Sequence, residues 1–246
     1  VVKIIKAKLM KLDILAFGAH PDDVELSCSG TILKAIAEGK KAGVVDLSKG
    51  ELGTRGTSET RTIEAANAAI ILGLSARENL EIEDGFMEYN QLNLSKVILM
   101  IRKYQPEIVL CNAISDRHPD HGNASKLVSE ACFYAGLLKY QNRLIDIETP
   151  WRPKAVYHYI QDRFMHPNFL VDISTVMDKK IESIKAYSSQ FYFEKSSELQ
   201  TPISSKQFFD TITERASTLG RIINCEYAEG FVTERYPGVN SIFDLK

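Results

Sequence analysis

A chain of 246 residues is long enough to bury one large α/β core. Its 30 Lys plus Arg against 32 Asp plus Glu leave a net charge of −2, which excludes the basic footprint of a nucleic-acid binder. Hydrophobic content of 44% and charged content of 25% are those of a soluble globular protein, and no apolar run reaches the length of a membrane span.

Val1 to Lys11 carries four lysines but lacks the long apolar segment and cleavage site of a signal peptide. Residues 1–9 read as an N-terminal extension, Met10 as a plausible native start, and residues 10–246 as one domain. Leu12 to Phe17 is an apolar run stopped by Gly18, the pattern of a buried parallel strand. His20-Pro21-Asp22-Asp23 follows, then apolar residues at helical spacing from Val24 to Glu38, closed by Gly39. Pro21 suits a first helical turn, from which His20 and Asp23, three apart, can point to one spot. One such carboxylate would read as a helix cap. An imidazole beside two carboxylates at a strand end, where open α/β sheets place ligands, reads as half of a metal site.

Ala42 to Leu47 is the next expected strand, leading into the glycine-rich loop Ser48 to Gly56, where glycine permits close backbone approach to a ligand. A helix is expected from Thr57 to Leu72 with Ser58 as a possible cap, then a strand from Leu80 to Asp84, and a helix from Leu92 to Lys103. Glu107 to Asn112 repeats the first arrangement: a short apolar strand, a polar loop, then His118-Pro119-Asp120-His121 opening a helix to about Leu138. Three ligands from the two clusters, with a fourth position left for water, is the arrangement of a catalytic zinc. Strands are expected at Ala155 to Ile160 and Phe169 to Ile173, helices at Met177 to Tyr187 and Phe208 to Asn224, with a mobile serine-rich loop from Ser188 to Ser204 between the helices. His158 reads as a satisfied sheet histidine and His166 as a loop residue. Cys28, Cys111, Cys132 and Cys225 form no Cys-x-x-Cys pair and read as reduced thiols, which suits a cytoplasmic protein. The alternation of strands and helices implies a largely parallel sheet.

The two tetrapeptides, with Lys49-Gly50-Glu51-Leu52-Gly53-Thr54-Arg55-Gly56-Thr57 and Arg61 between them, resemble the motifs of the LmbE/PIG-L family of zinc-dependent N-acetylglucosamine deacetylases. The likeness runs from about Met10 to the C-terminus, including Glu226 to Phe231, which resembles the family's C-terminal segment near the active site, and is strongest before residue 125. It is greatest to the branch that deacetylates N-acetylglucosaminyl-malate in bacillithiol synthesis. The resemblance implies an α/β, Rossmann-like three-layer sandwich with a mostly parallel sheet and its active site at the strand C-terminal ends. It assigns His20, Asp23 and His121 to one zinc ion per chain, with iron(II) or another divalent metal as the alternative. Asp22 becomes the general base, His118 an oxyanion donor, and Asp120 the carboxylate that keeps His118 protonated. Spacing alone does not separate Asp22 from Asp23. Arg55, Arg61 and Glu51 become candidates for the acidic end of the substrate, since guanidinium grips carboxylates bidentately. Relatives form trimers or hexamers, so a homo-oligomer is expected. The rival readings are deacetylation of another N-acetylated sugar, a phosphoesterase (which commonly needs two metals) and a non-catalytic sugar binder. A dinucleotide enzyme lacks its Gly-x-Gly-x-x-Gly.

Overall fold

The computed structural model describes residues 10–140, 149–191 and 199–245. The expected N-terminal extension lies outside the described residues, as do residues 192–198 of the serine-rich segment.

Seven strands form one sheet: β1 (Ile14–Gly18), β2 (Ala42–Asp46), β3 (Ala76–Asn79), β4 (Ile108–Cys111), β5 (Ala155–Tyr159), β6 (Phe169–Asp172) and β7 (Ala228–Thr233). Their order is β3-β2-β1-β4-β5-β7-β6, parallel from β3 to β5, with β7 antiparallel to both of its neighbours. The helices are α1 (Asp23–Ser27), α2 (Ser29–Ala37), α3 (Ser58–Leu72), α4 (Gln91–Tyr104), α5 (Pro119–Ala135), α6 (Met177–Lys185) and α7 (Lys206–Ile222).

Strand alternation builds the three layers. Leu15 and Phe17 of β1 point to the face covered by α4 and α5, where they pack with Val97, Ile101, Leu127 and Val128. Ile14 and Ala16 point to the opposite face and meet Val24 and Ile32 of α1 and α2. A strand covered on both sides must be apolar throughout, and all five residues of β1 are buried. The chain builds β1, β2 and β3 outward in one direction, then returns to lay β4 on the other side of β1. The switch point of the sheet therefore falls between β1 and β4, the two strands that precede the His-Pro-Asp segments.

Three expected elements differ. The strand at Leu80 to Asp84 is instead β3, four residues earlier. Leu80 and Ile82 still donate backbone N–H groups to Asp46 and Leu47, but Glu81 takes a φ of 50°, which breaks the ladder and turns the chain across the strand ends toward the first motif. The cap of α3 is Thr57, whose side chain accepts the Thr60 N–H. The helix expected from Val24 to Glu38 is two helices that break at Cys28.

A buried ion pair occupies that break. Lys180 on α6 donates to the Glu25 and Leu26 carbonyls of α1 and to Glu229 on β7, 2.7 Å away. Glu229 in turn accepts from the backbone of Gly30 and Thr31 at the start of α2. A cation thus meets the carbonyl end of one helix and an anion the amide end of the next, each the charge that end favours. Glu226 to Phe231, expected near the active site, serves this clamp instead.

Lys180 is 1% exposed and Glu229 4%, so removing one partner strands the other charge in the interior. Lys180→Met is expected to cost about 3–5 kcal/mol of unfolding free energy, read as a lowered midpoint in urea unfolding.

Candidate metal centre and active site

The segment after β1 is fixed by its neighbours on both sides. Gly18 and Ala19 carbonyls accept the Leu47 and Ser48 N–H groups beyond β2, and the Ala19 N–H donates to Asn112 Oδ1 beyond β4. Helix α1 begins at Asp23, so Pro21 lies in the preceding turn rather than in the first helical turn. Asp22 caps α1 at φ 114°, a backbone state that costs a non-glycine residue about 1–3 kcal/mol and needs outside support.

The support is Arg61 in the first turns of α3. Its guanidinium donates to Asp22 Oδ2 at 3.0 Å, to the Pro21 carbonyl, and to the Gly50 carbonyl. Gly50 has a φ of 66°, and a Cβ there would sit 1.9 Å from Arg61 Nη1. The glycine of this loop therefore makes room for an arginine of the same chain. Burial lifts the Asp22 carboxyl, the Arg61 charge only partly offsets it, and the pKa is pushed up to about 7.

Around this turn the two tetrapeptides converge. His121 Nε2 lies 3.2 Å from Asp23 Oδ1, and His20 Nδ1 lies 3.7 Å from Asp23 Oδ2. The imidazoles of His20, His118 and His121 each present a nitrogen within 4.8 Å of the others. His20 turns its Nε2 to Asp84 at 2.9 Å, and His121 turns its Nδ1 to Asp116 at 2.5 Å. A carboxylate behind each imidazole is the usual means of fixing the ring of a metal-ligating histidine.

The donor set fits a divalent cation on its electrostatics as well. Burial alone would lower both histidines, yet the surrounding carboxylates raise His20 well above its ordinary value and lift His121 to about 9. Asp84 is buried, which pushes its carboxyl up, but the His20 imidazole outweighs this and holds it at about 2. The site stabilises positive charge. Both groups of candidate ligands among the described residues, His20/His118/His121 and His20/Asp84/Asp120, share His20.

The expected role of Asp120 changes, and with it the charge state of His118. The Asp120 carboxylate accepts the Gly85 and Met87 N–H groups and faces His20 at 3.5 Å, so it does not hold His118. His118 Nδ1 instead accepts the Asp120 backbone N–H at 3.2 Å. That bond favours the neutral ring with its proton on Nε2. Burial and the two neighbouring imidazoles lower the His118 pKa in the same sense.

A family model described as PIG-L, GlcNAc-PI de-N-acetylase, matches residues 15–132, a span that contains both tetrapeptides. The chain is 31% identical over 189 residues to the diacetylchitobiose deacetylase of Thermococcus kodakarensis, covering 72% of this chain and 70% of that protein. The chain belongs to the PIG-L family. It is an enzyme of the N-deacetylase type carrying a His/Asp site able to hold a divalent metal. A conserved protein of Thermus thermophilus superposes with a TM-score of 0.84 at 34% identity, over 94% of this chain and 98% of that one. The 4-carboxy-2-hydroxymuconate hydratase of Pseudomonas putida superposes with a TM-score of 0.77 at 26% identity, over 94% and 99%.

In this PIG-L chain His20, Asp22, Asp23, His118 and His121 line a cavity of about 340 Å³. Leu26, Leu52, Ile203, Phe208 and Ile212 supply an apolar wall, while Arg61, Arg117, Gln161 and Arg215 bring polar groups. Arg55 and Glu51 are not part of the lining. The Arg55 carbonyl accepts from Gln190, and Glu51 holds the Asp84 and Lys49 N–H groups. Arg61 does line the cavity, but its guanidinium is engaged with Asp22 and two carbonyls. The described ends of the serine-rich segment are anchored: Ser189 bonds Glu64, and Phe191 is buried.

Asp84, Asp116, Arg117, Gln161 and Arg215 escape a motif-based reading, because none of them stands in a recognisable pattern. Arg117 alone has a visible signal, its adjacency to His118. His158 is satisfied as expected, with Ser125 and the Asn112 carbonyl on Nδ1 and Glu234 on Nε2. The His166 ring packs on Phe164 away from the cavity lining.

If Asp22 is the base and Asp23 a ligand, their variants separate cleanly. Asp22→Asn is expected to keep metal at wild-type stoichiometry while turnover falls on the order of 10²–10⁴-fold. Asp23→Ala is expected to lose both. Elemental analysis of the purified variants alongside a deacetylation assay distinguishes the two.

Proposed function

We propose that this chain hydrolyses the N-acetyl group of an N-acetylglucosamine conjugate, releasing acetate and a free glucosamine amine, with N-acetylglucosaminyl-L-malate of bacillithiol biosynthesis as the substrate. The carrying observation is the clustering of the His20, His118 and His121 imidazoles, with Asp23 in contact with His20 and His121 and Asp22 held by Arg61.

His20, Asp23 and His121 would hold one divalent ion, zinc in this reading. Such an ion supplies a Lewis acid that lowers the pKa of water to about 7. Asp22, held by Arg61, takes the proton of the attacking water and delivers it to the departing amine. His118, with its proton on Nε2, donates to the oxygen of the acetyl carbonyl as negative charge develops there, a contribution of roughly 3 kcal/mol for donors of this kind. Asp84 and Asp116 keep the His20 and His121 rings in place. Asp120 ties the loop at Gly85 and Met87 to the site.

The malate carboxylates find their partners among the arginines of the cavity wall. Arg117 lines the cavity and is half exposed, with Nε on Asp162 Oδ2 at 2.8 Å. Arg215 lines the same cavity and donates to the Gln161 and Asp162 carbonyls. Arg61 has no such freedom, so it acts through Asp22.

The likeness to the Pseudomonas putida hydratase supports a second reading, in which the same site adds water to an unsaturated carboxylate held by these arginines. Amine release from N-acetylglucosaminyl-malate, measured beside N-acetylglucosamine, tests the proposal. Rapid release from the malate conjugate and slow release from the free sugar are expected. No amine from either sugar would overturn the N-acetylglucosamine assignment and leave another N-acetylated substrate or hydration in place. Equal, slow release from both would overturn the malate assignment alone. Chelation of the metal is expected to abolish release, and zinc or iron(II) to restore it. Arg117→Ala is expected to raise KM for the malate conjugate about tenfold, as loss of a charged hydrogen bond does, with little change for the free sugar.

A further inference from the structure

Asp23 is 3% exposed, and its carboxylate receives donors from elements other than its own. Asn112 Nδ2, just beyond β4, donates to Oδ2 at 2.9 Å, and Gln161 Nε2, just beyond β5, donates to Oδ1 at 3.0 Å. The orientation of both amides is set by the rest of the network. Asn112 Oδ1 accepts the Ala19 N–H at 2.9 Å. Gln161 Oε1 accepts the Ala113 N–H at 3.1 Å and Asn112 Nδ2 at 3.0 Å. With each amide oxygen committed to an N–H donor, both amide nitrogens face Asp23; neither side chain can flip without setting an oxygen against an oxygen. Oδ2 also accepts the His20 backbone N–H at 3.0 Å. Each oxygen therefore has one amide donor and one imidazole beside it, His20 Nδ1 at 3.7 Å from Oδ2 and His121 Nε2 at 3.2 Å from Oδ1.

We infer that Asn112 and Gln161 are positioning residues for the metal site: an amide clamp, one amide on each carboxylate oxygen, that fixes Asp23 between the His20 and His121 imidazoles. Amides suit this task because they donate without adding charge. A lysine here would compete with the cation, and a further carboxylate would repel Asp23. The clamp spans the ends of β1, β4 and β5, so it also couples ligand geometry to the register of the sheet. His158 extends it, since its Nδ1 lies 3.0 Å from the Asn112 carbonyl. The inference rests on the metal reading of Asp23 and is independent of which sugar conjugate is the substrate.

The test is the affinity of the full chain for Zn2+, measured by competition with a chromogenic chelator, for wild type, Gln161→Met and Gln161→Ala. The thermal midpoint of each apoprotein is measured in parallel. Gln161 sits on the cavity wall, so its replacement spares the interior that Asn112 occupies. Loss of an outer partner of a metal ligand weakens binding roughly 10–100-fold. The expected result is a loss of that size in both variants, with the apo midpoint within a few degrees of wild type. Wild-type affinity in the variants overturns the inference, as does a loss of affinity that comes only with a collapsed apo midpoint. A wild-type chain that binds no Zn2+ overturns the metal reading and the clamp with it.

Discussion

A carboxylate buried away from water is unstable unless other groups compensate its charge, and Asp23 is the group on which this constraint falls hardest. Two imidazoles, two side-chain amides and a backbone N–H surround it, and the His121 and His20 imidazoles hold its carboxyl well below the usual carboxylate range although burial alone would raise it. Those groups come from the ends of β1, β4 and β5 and from the first turn of α5. Any slip between the strands would strand the charge, so the demand for compensation and the demand for sheet register are one demand.

The topology makes that compensation available. Segments after β1 and β4 can meet because the chain reverses its direction of sheet growth between them, leaving the ends of two adjacent strands uncovered by a crossover. The short first helix then has to stop so that its N-terminal turn can serve the site while α2 packs on the sheet. Lys180 and Glu229 hold that break by supplying opposite charges to the two helix ends. Further out, Arg61 stabilises the strained Asp22 backbone, and Gly50 yields the space its guanidinium needs. The polar groups of the interior thus form shells around one point, each shell correcting the cost of the one within.

Relatives named for deacetylation and for hydration share this chain's fold, as expected where function resides in a site carried by a common scaffold. Both chemistries need water activated next to a carbonyl compound. What separates them is the shape and charge of the cavity. Here that cavity has an apolar wall from α1, the Leu52 loop and α7, with Arg117 and Arg215 beside it.

The layered α/β class, the order of most elements and both tetrapeptides are legible in the residues alone. Strand β1 is apolar because both its faces are covered, and His20, Asp22, Asp23, His118 and His121 stand in contiguous motifs whose chemistry depends on residue type and short spacing. Other features depend on contacts distant in sequence. The break at Cys28 is held by Lys180 and Glu229, about 150 and 200 positions away. Periodicity puts a strand on Leu80 to Asp84 because Leu80 and Ile82 alternate, yet the backbone at Glu81 forbids a ladder there. Adjacency suggests Asp120 as the partner of His118, but the helix N-terminus gives His118 the backbone N–H instead. Arg61 and Arg55 both look available for an anion in the sequence, and only packing reveals that one is engaged with Asp22 and the other is off the cavity wall. Short-range pattern determined which residues are candidates to carry the chemistry. The tertiary structure alone decided how they are held, because a hydrogen bond between residues 89 or 138 positions apart leaves no periodic trace in the chain.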